Sequence, residues 1–216
     1  SNLLSVGFGA FSQTPIDMLS IPSKVEKLCN GWGCNMLHLN NVFISQENKN
    51  LSLFNNKILM LKSNLNEKNF DVISFVLRNA TKIEVPSNVT FISAYSFSFC
   101  TKLNDISFQE NSELEVIDDK AFSFSDNENI IFPNKVKEIG EYAFFYSKIK
   151  SIEFLSDDEL LCKKSCFKYC NNILIVSFPF VKKITFNNNA FKETNDNVRV
   201  FVCVGAEVDC NQKKSV

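Results

Sequence analysis

The sequence predicts a parallel-stranded solenoid of the α/β or mainly β class. Short strands line one face, and turns and short helices close each unit on the other. Three recurring units predict it. A strand-like Leu/Ile-x-x-Ile/Val/Leu-x-Ile/Phe unit repeats along the chain, a Val-x-x-Ile/Leu unit follows it, and an Ala-Phe pair closes each copy. Five of the closing residues, Phe97, Phe122, Phe144, Phe167 and Phe191, stand 25, 22, 23 and 24 residues apart. A regular spacing of this kind is the mark of stacked supersecondary units.

The strand unit appears at Ile16, Leu19 and Ile21, at Leu103, Ile106 and Phe108, at Ile149, Ile152 and Phe154, and at Ile173, Val176 and Phe178. Shorter copies sit at Ile83 and Val85 and at Ile130 and Phe132. Side chains alternate across a strand, so these residues point one way, into the coil. Pro22, Pro86 and Pro133 come directly after three of the strands. Proline donates no ladder hydrogen bond, and it marks a strand's end. Val25 and Leu28, Val89 and Ile92, Val136 and Ile139 then supply the second unit, a role that Leu114 and Ile117 also fill. One such unit cannot bury its own apolar face, and stacking joins the faces into one core.

The closing pairs are Ala10-Phe11, Ser96-Phe97, Ala121-Phe122, Ala143-Phe144, Cys166-Phe167 and Ala190-Phe191. The period lies in the ~20–29 residue range of leucine-rich repeats. The order Val85-Pro86-Ser87-Asn88-Val89, then Ile92, Phe97, Cys100, Leu103 and Ile106, resembles the BspA-like leucine-rich-repeat family. The resemblance covers residues 1–44 and 77–202. It implies a non-enzymatic protein-binding module, a surface antigen type associated with adhesion to host cells and extracellular matrix. It therefore implies a cell-surface or extracellular location and a protein ligand. The alternative is an intracellular, cytoplasmic scaffold for protein assembly on the same solenoid.

The pattern also departs from the family. One Ala-Phe slot reads Trp32-Gly33, and one Ile slot reads Cys162. Between 45 and 76 the repeat is lost. There Leu51-Ser52-Leu53-Phe54 and Ile58-Leu59-Met60-Leu61 flank Asn55-Asn56, a β-hairpin signal. We expect one solenoid over 1–216 with 45–76 as a hairpin insertion; a linker between two domains is the alternative. The chain opens on Ser1-Asn2 without Met or a signal peptide. It reads as a trimmed fragment with further repeats upstream.

Composition narrows the function classes. Net charge is −1, from 23 basic and 24 acidic residues. No basic surplus is available to neutralise phosphates, so nucleic acid is not the expected partner. No run of about 18 apolar residues appears, so no membrane span is expected. The 27 Asn and 22 Phe are both in excess, together with Lys and Ile. All have A/T-rich codons, and the Asn surplus is given no functional weight.

No catalytic, metal or cofactor site is expected. Cys162, Cys166 and Cys170 lie four apart and would share one helical face, as metal ligands could. However, Cys166 fills the Ala slot, and Cys170 follows Phe167 by three residues as Cys100 follows Phe97. Free Cys packs as a small hydrophobe, so these residues read as core. Cys203 and Cys210 are either a disulfide loop or two free thiols. His38 is the only histidine, with Cys34 four residues away. A nucleophilic pair would also need a third group to orient it. Leu37-His38-Leu39 reads instead as a strand with His38 outward. Val6-Gly7-Phe8-Gly9 lacks the third Gly of a phosphate loop.

The expected partner-facing residues are the outward strand positions: Ser20, His38, Glu84, Ser107, Ile131, Glu153 and Ser177, flanked by Asp105 and Lys150. Glu84 and Glu153 are expected in one outward column. Asn50-Leu51-Ser52, Asn79-Ala80-Thr81 and Asn88-Val89-Thr90 are candidate N-glycosylation sequons, usable if the chain is secreted.

Overall fold

The computed structural model describes residues 2–211. Its strands run β1 (Ser5–Val6), β2 (Met18–Ile21), β3 (Lys27–Leu28), β4 (Asn41–Ile44), β5 (Leu51–Phe54) and β6 (Ile58–Leu61). Then follow β7 (Val72–Val76), β8 (Lys82–Val85), β9 (Phe91–Ile92), β10 (Asp105–Phe108), β11 (Val116–Ile117), β12 (Asn129–Phe132) and β13 (Glu138–Ile139). The last are β14 (Ser151–Phe154), β15 (Glu159–Cys162), β16 (Ile175–Phe178), β17 (Lys183–Asn187), β18 (Arg199–Val202) and β19 (Glu207–Asn211).

The strands form two walls of a coil. On the first wall β2 pairs with β4, β8 with β10, and β12, β14, β16 and β18 stack in order, all parallel. The second wall is a nine-stranded sheet of order β19-β17-β15-β13-β11-β9-β7-β6-β5. It is parallel except where β5, β6 and β7 meet antiparallel. At the N-terminal end β1 and β3 form a separate parallel pair.

The third wall corrects the expectation of short helices: no helix occurs among the described residues. The Ala-Phe segments are turns that bond to one another. Tyr95, Phe97 and Phe99 donate their N–H groups to the carbonyls of Asp119, Ala121 and Ser123, at 3.3, 2.9 and 3.0 Å. The alternate residues Ser96, Ser98 and Cys100 donate three residues back. Each turn also carries two left-handed residues four apart, such as Tyr95 (φ 62°) and Phe99 (φ 59°) or Tyr142 (φ 56°) and Tyr146 (φ 54°). A left-handed residue breaks the right-handed backbone that an i→i−4 ladder needs. The donors that a helix would use internally go to the next turn instead.

The core follows the sequence columns. Phe97, Phe122, Phe144, Phe167 and Phe191 stack with ring centroids 4.6, 5.2, 5.4 and 5.0 Å apart. The first four are fully buried, and Phe191 is half-buried at the C-terminal end. A second column, Phe108, Phe132, Phe154 and Phe178, comes from the first wall. The columns meet edge to face, with Phe132 5.7 Å from Phe122 and 6.0 Å from Phe144. Cys100, Cys162, Cys166 and Cys170 are buried among them.

The segment at 51–61 is a hairpin. Asn55 and Asn56 both take positive φ, 49° and 53°, as a type I′ turn requires. Along β6, Ile58 and Met60 enter the larger core, while Leu59 enters the N-terminal one. A strand covered on both faces reads as an unbroken apolar run, which explains Ile58-Leu59-Met60-Leu61. Thus the hairpin sheet stands between two cores.

Phe144→Ala should lower the stability of the chain by about 3–5 kcal/mol, because it opens a cavity between two stacked rings. Denaturant unfolding measures this, and an unchanged midpoint would remove Phe144 from the load of the core. Nearest-neighbour coupling should spread the damage to the turns that carry Phe122 and Phe167.

Candidate functional site

The first wall presents its outward residues in three separate stretches. Ser20 lies beside Phe43, Glu84 beside Ser107, and Ile131 beside Glu153, Ser177 and Phe201. Glu84 and Glu153 therefore belong to different sheets, and the single outward column expected of them is interrupted. Flanking charges are paired: Lys82 with Asp105 at 2.7 Å, and Lys150 with Glu128 at 2.6 Å. Glu84 accepts a bond from Gln109 Nε2 at 3.2 Å.

Between β10 and β12 the pairing of this wall is interrupted. Six residues separate Phe108 from Leu114, whereas four separate Phe132 from Val136. Asn111, in the longer connection after β10, is left-handed (φ 57°). Ladder pairing is lost there, and a cleft of about 540 Å³ opens. Ser107, Phe108, Ile131, Pro133 and Leu155 are among its lining residues. Ile131 is 57% exposed, the largest apolar exposure on β12, β14 and β16. The buried Asn127 amide spans the break below by donating to the Leu103 carbonyl at 2.7 Å.

His38 is not on this wall. The strand is Asn41–Ile44, and its outward aromatic is Phe43, 56% exposed. The apparent alternation of Leu37-His38-Leu39 misled the reading: Leu39 is buried, but Leu37 is 47% exposed. Leu39 occupies the slot of Leu103, three residues before the inward strand residue. His38 sits in the connection ahead of β4.

A further surface was missed by sequence reasoning. Phe99, Phe124, Tyr146 and Tyr169 stack along the outside of the third wall, with centroids 4.7, 5.4 and 4.5 Å apart. Each is the second left-handed residue of its turn. Phe124 and Tyr146 are 37% and 43% exposed. Their signal was present: they recur at the spacings of the core phenylalanines, two residues later. Gln13 and Asn35 hold the equivalent left-handed slots nearer the N-terminus. Beside them lies a cleft of about 450 Å³.

The thiols behave as packing groups. Burial pushes Cys170 up to about 12, and its Sγ donates to the Phe144 carbonyl at 2.9 Å. Burial also raises Cys166 well above the ordinary thiol range, with Cys162 beside it adding to the rise. Cys100 is raised by burial despite Arg78, whose Nη1 lies 3.1 Å from its sulfur. Cys203 and Cys210 are separate free thiols. Of the sequons, Asn79 and Asn88 are exposed, and their Nδ2 groups donate to the carbonyls of Asn40 and Phe70. Asn50 is half-buried. No helix among the described residues is long and apolar enough to cross a membrane.

The profile of the BspA type leucine rich repeat region matches residues 1–73 and 68–197, in six copies. A leucine-rich repeat protein from Eubacterium ventriosum ATCC 27560 aligns at 20% identity and a TM-score of 0.67, over 92% of this chain and 52% of its own. A leucine rich cell surface protein from Faecalibacterium prausnitzii A2-165 aligns at 16% identity and a TM-score of 0.52, over 96% of this chain and 51% of its own. These likenesses show the fold. The chain spans about half the length of both structures. No curated protein matches the chain by sequence.

The thiolate is the reactive form of cysteine. Iodoacetamide on the folded protein at pH 8 should therefore label the exposed Cys210 first and spare Cys100, Cys162, Cys166 and Cys170. Peptide mass mapping reads the order. Rapid labelling of Cys100 or Cys166 without unfolding would contradict their place in the core.

Proposed function

Because the chain belongs to the BspA-type leucine-rich-repeat family, we propose that it is a non-enzymatic protein-binding module at a cell surface, docking a host-cell or extracellular-matrix protein. The first wall is the docking face, and Ser20, Glu84, Asp105, Ser107, Ile131, Lys150, Glu153 and Ser177 are its contact positions. The observation that carries this reading is the cleft between β10 and β12. Binding energy concentrates where an apolar anchor enters a pocket inside a polar rim. Ile131 and the adjoining cleft provide such a place, and Glu84 and Glu153 lie to either side of it along the wall.

The hairpin at 51–61, within the 45–76 insertion, offers a rival docking site, because irregular segments on a rigid scaffold frequently carry recognition. A second reading is an intracellular assembly scaffold. It is favoured by the cysteines, all eight of which are free, since thiols persist in reducing compartments. Glycans on Asn79 or Asn88 would decide for the cell surface.

Four proteins test the docking face against a set of matrix proteins: the natural sequence, Ile131→Asp, the double variant Glu84→Lys with Glu153→Lys, and a deletion of the hairpin. Ile131→Asp should weaken binding at least ten-fold, and the double reversal should weaken it less. Both should leave folding within about 0.5 kcal/mol, because neither side chain supports the core. Equal binding by all four, or none by the folded natural sequence, would remove the adhesion reading. Loss on hairpin deletion alone would move the docking site to the insertion.

A further inference from the structure

We propose that the cleft at the N-terminal end of the outward aromatic column is a binding site for a neutral saccharide unit. It is separate from the docking face on the first wall and does not depend on it.

The cleft holds about 450 Å³ and is lined by Gln13, Thr14, Pro15, Asn35, Leu37, His38, Phe99 and Phe124. That volume lies within the range of small-molecule sites, about 300–1,000 Å³. Its position follows from the turn column. Going along the coil, the second left-handed slot is filled by Gln13, Asn35, Phe99, Phe124, Tyr146, Tyr169 and Glu193. The cleft lies where the column changes from amides to rings. Phe99 is the terminal ring of the stack, with Phe124 its one stacked neighbour among the described residues.

Three features of the lining define the ligand. First, it contains no carboxylate and no ammonium group. A charged ligand would enter without a counter-charge, so a neutral ligand is favoured. Second, its polar groups are two amides, an imidazole and a hydroxyl. The amides offer both donors and acceptors, as a sugar hydroxyl does, while the Thr14 hydroxyl donates to the Phe11 carbonyl at 2.7 Å and has its oxygen left to accept. Among the described residues, no intramolecular hydrogen bond uses the side chains of Gln13, Asn35 or His38, and Gln13 and His38 are exposed. Third, Phe99, Phe124, Pro15 and Leu37 supply an apolar surface, Leu37 being 47% exposed. A pyranose has the matching form: an apolar C–H face and a rim of hydroxyls. The left-handed backbone at Gln13 (φ 57°) and Asn35 (φ 58°) fixes where both amides start. A peptide anchor would use the rings equally well but would leave the amide and imidazole groups without a reason to converge.

The test is saturation-transfer NMR on the folded chain with neutral hexasaccharides of glucose, mannose and N-acetylglucosamine, beside a hyaluronan fragment as the acidic comparison. At least one neutral sugar should receive saturation from the protein. Asn35→Gly keeps the left-handed backbone and removes the amide, and His38→Ala removes the imidazole. Each should weaken binding at least ten-fold at an unchanged melting temperature. Ile131→Asp should leave sugar binding unaltered, which separates this site from the docking face. The proposal is overturned if no neutral sugar binds, if only hyaluronan binds, or if both substitutions leave binding intact. It is also overturned if they abolish binding of a matrix protein equally before and after enzymatic deglycosylation, which would assign the cleft to a peptide.

Discussion

The distance between successive turns governs this molecule. Hydrogen-bonded strands lie about 4.7–4.9 Å apart, and aromatic rings pack favourably at centroid distances of about 4.5–7 Å. A ring that recurs once per turn at the same place is therefore already at stacking distance from its copies. The Phe97–Phe191 column has spacings of 4.6–5.4 Å, and the outer Phe99–Tyr169 column has spacings of 4.5–5.4 Å. Backbone ladders on all three walls hold the rise constant, that of the first wall in three stretches. That of the third wall consists of turn-to-turn bonds such as Phe122 N–H to the Ala143 carbonyl at 2.8 Å. Helices on that wall would withdraw those donors, and their greater width would force the turns apart.

The outer column has a local cost. A left-handed residue with a side chain is disfavoured by roughly 1–2 kcal/mol, and Phe and Tyr lack the short polar group that eases it for Asn. Stacking offsets this, since an aromatic pair contributes about 0.5–1.5 kcal/mol beyond its area. In the outer column the rings form a continuous run from Phe99 to Tyr169, whereas Tyr95 and Tyr142 hold left-handed slots with no stacked ring and meet Lys120 instead. Where the run stops, Gln13 and Asn35 hold the slot at one end and Glu193 at the other; of these, Asn tolerates the conformation best.

The inward columns were legible in the sequence because burial permits few residue types, and few types repeated at one spacing are easy to see. The Pro22, Pro86 and Pro133 strand ends were legible for the same reason. Left-handed backbone was not, because its slots hold Gln, Asn, Lys, Ser, Glu, Phe and Tyr in turn, with no common chemistry to reveal them. The break between β10 and β12 was not legible either, because the hydrophobic columns continue unchanged on both sides of it. The joint between the two cores was hidden for another reason: its parts are far apart in sequence. Gly33 stands in a Phe slot, and a Cβ there would lie 3.1 Å from the Phe75 ring, which fills the vacated space. Trp32 Nε1 donates to Ser74 Oγ at 3.0 Å. The buried Arg78 lies over Phe75 and donates to the carbonyls of Met36, Val76 and Ser96. Its guanidinium satisfies carbonyls that a regular neighbouring turn would have met, and burial lowers its pKa.

The same periodicity sorts the surface charges. Lys135 meets Glu113, Lys137 meets Glu115, Lys148 meets Asp126 and Lys150 meets Glu128, each pair 22 residues apart and thus on adjacent turns. Exposed pairs of this kind contribute only about 0–1 kcal/mol each, so stability is not what they chiefly provide. Their effect is cancellation: a lysine on one turn neutralises the carboxylate on the turn before it, and the flanks present little net field to a partner. With −1 overall, long-range steering of a charged partner is weak. On the proposed readings, recognition falls to the places where the columns are broken and the surface is uncharged. Two of these are the cleft beside Ile131, where the ladder is interrupted, and the cleft beside Phe99, where rings give way to amides. In a coil whose regular positions repeat, an irregular turn is what can distinguish one ligand from another.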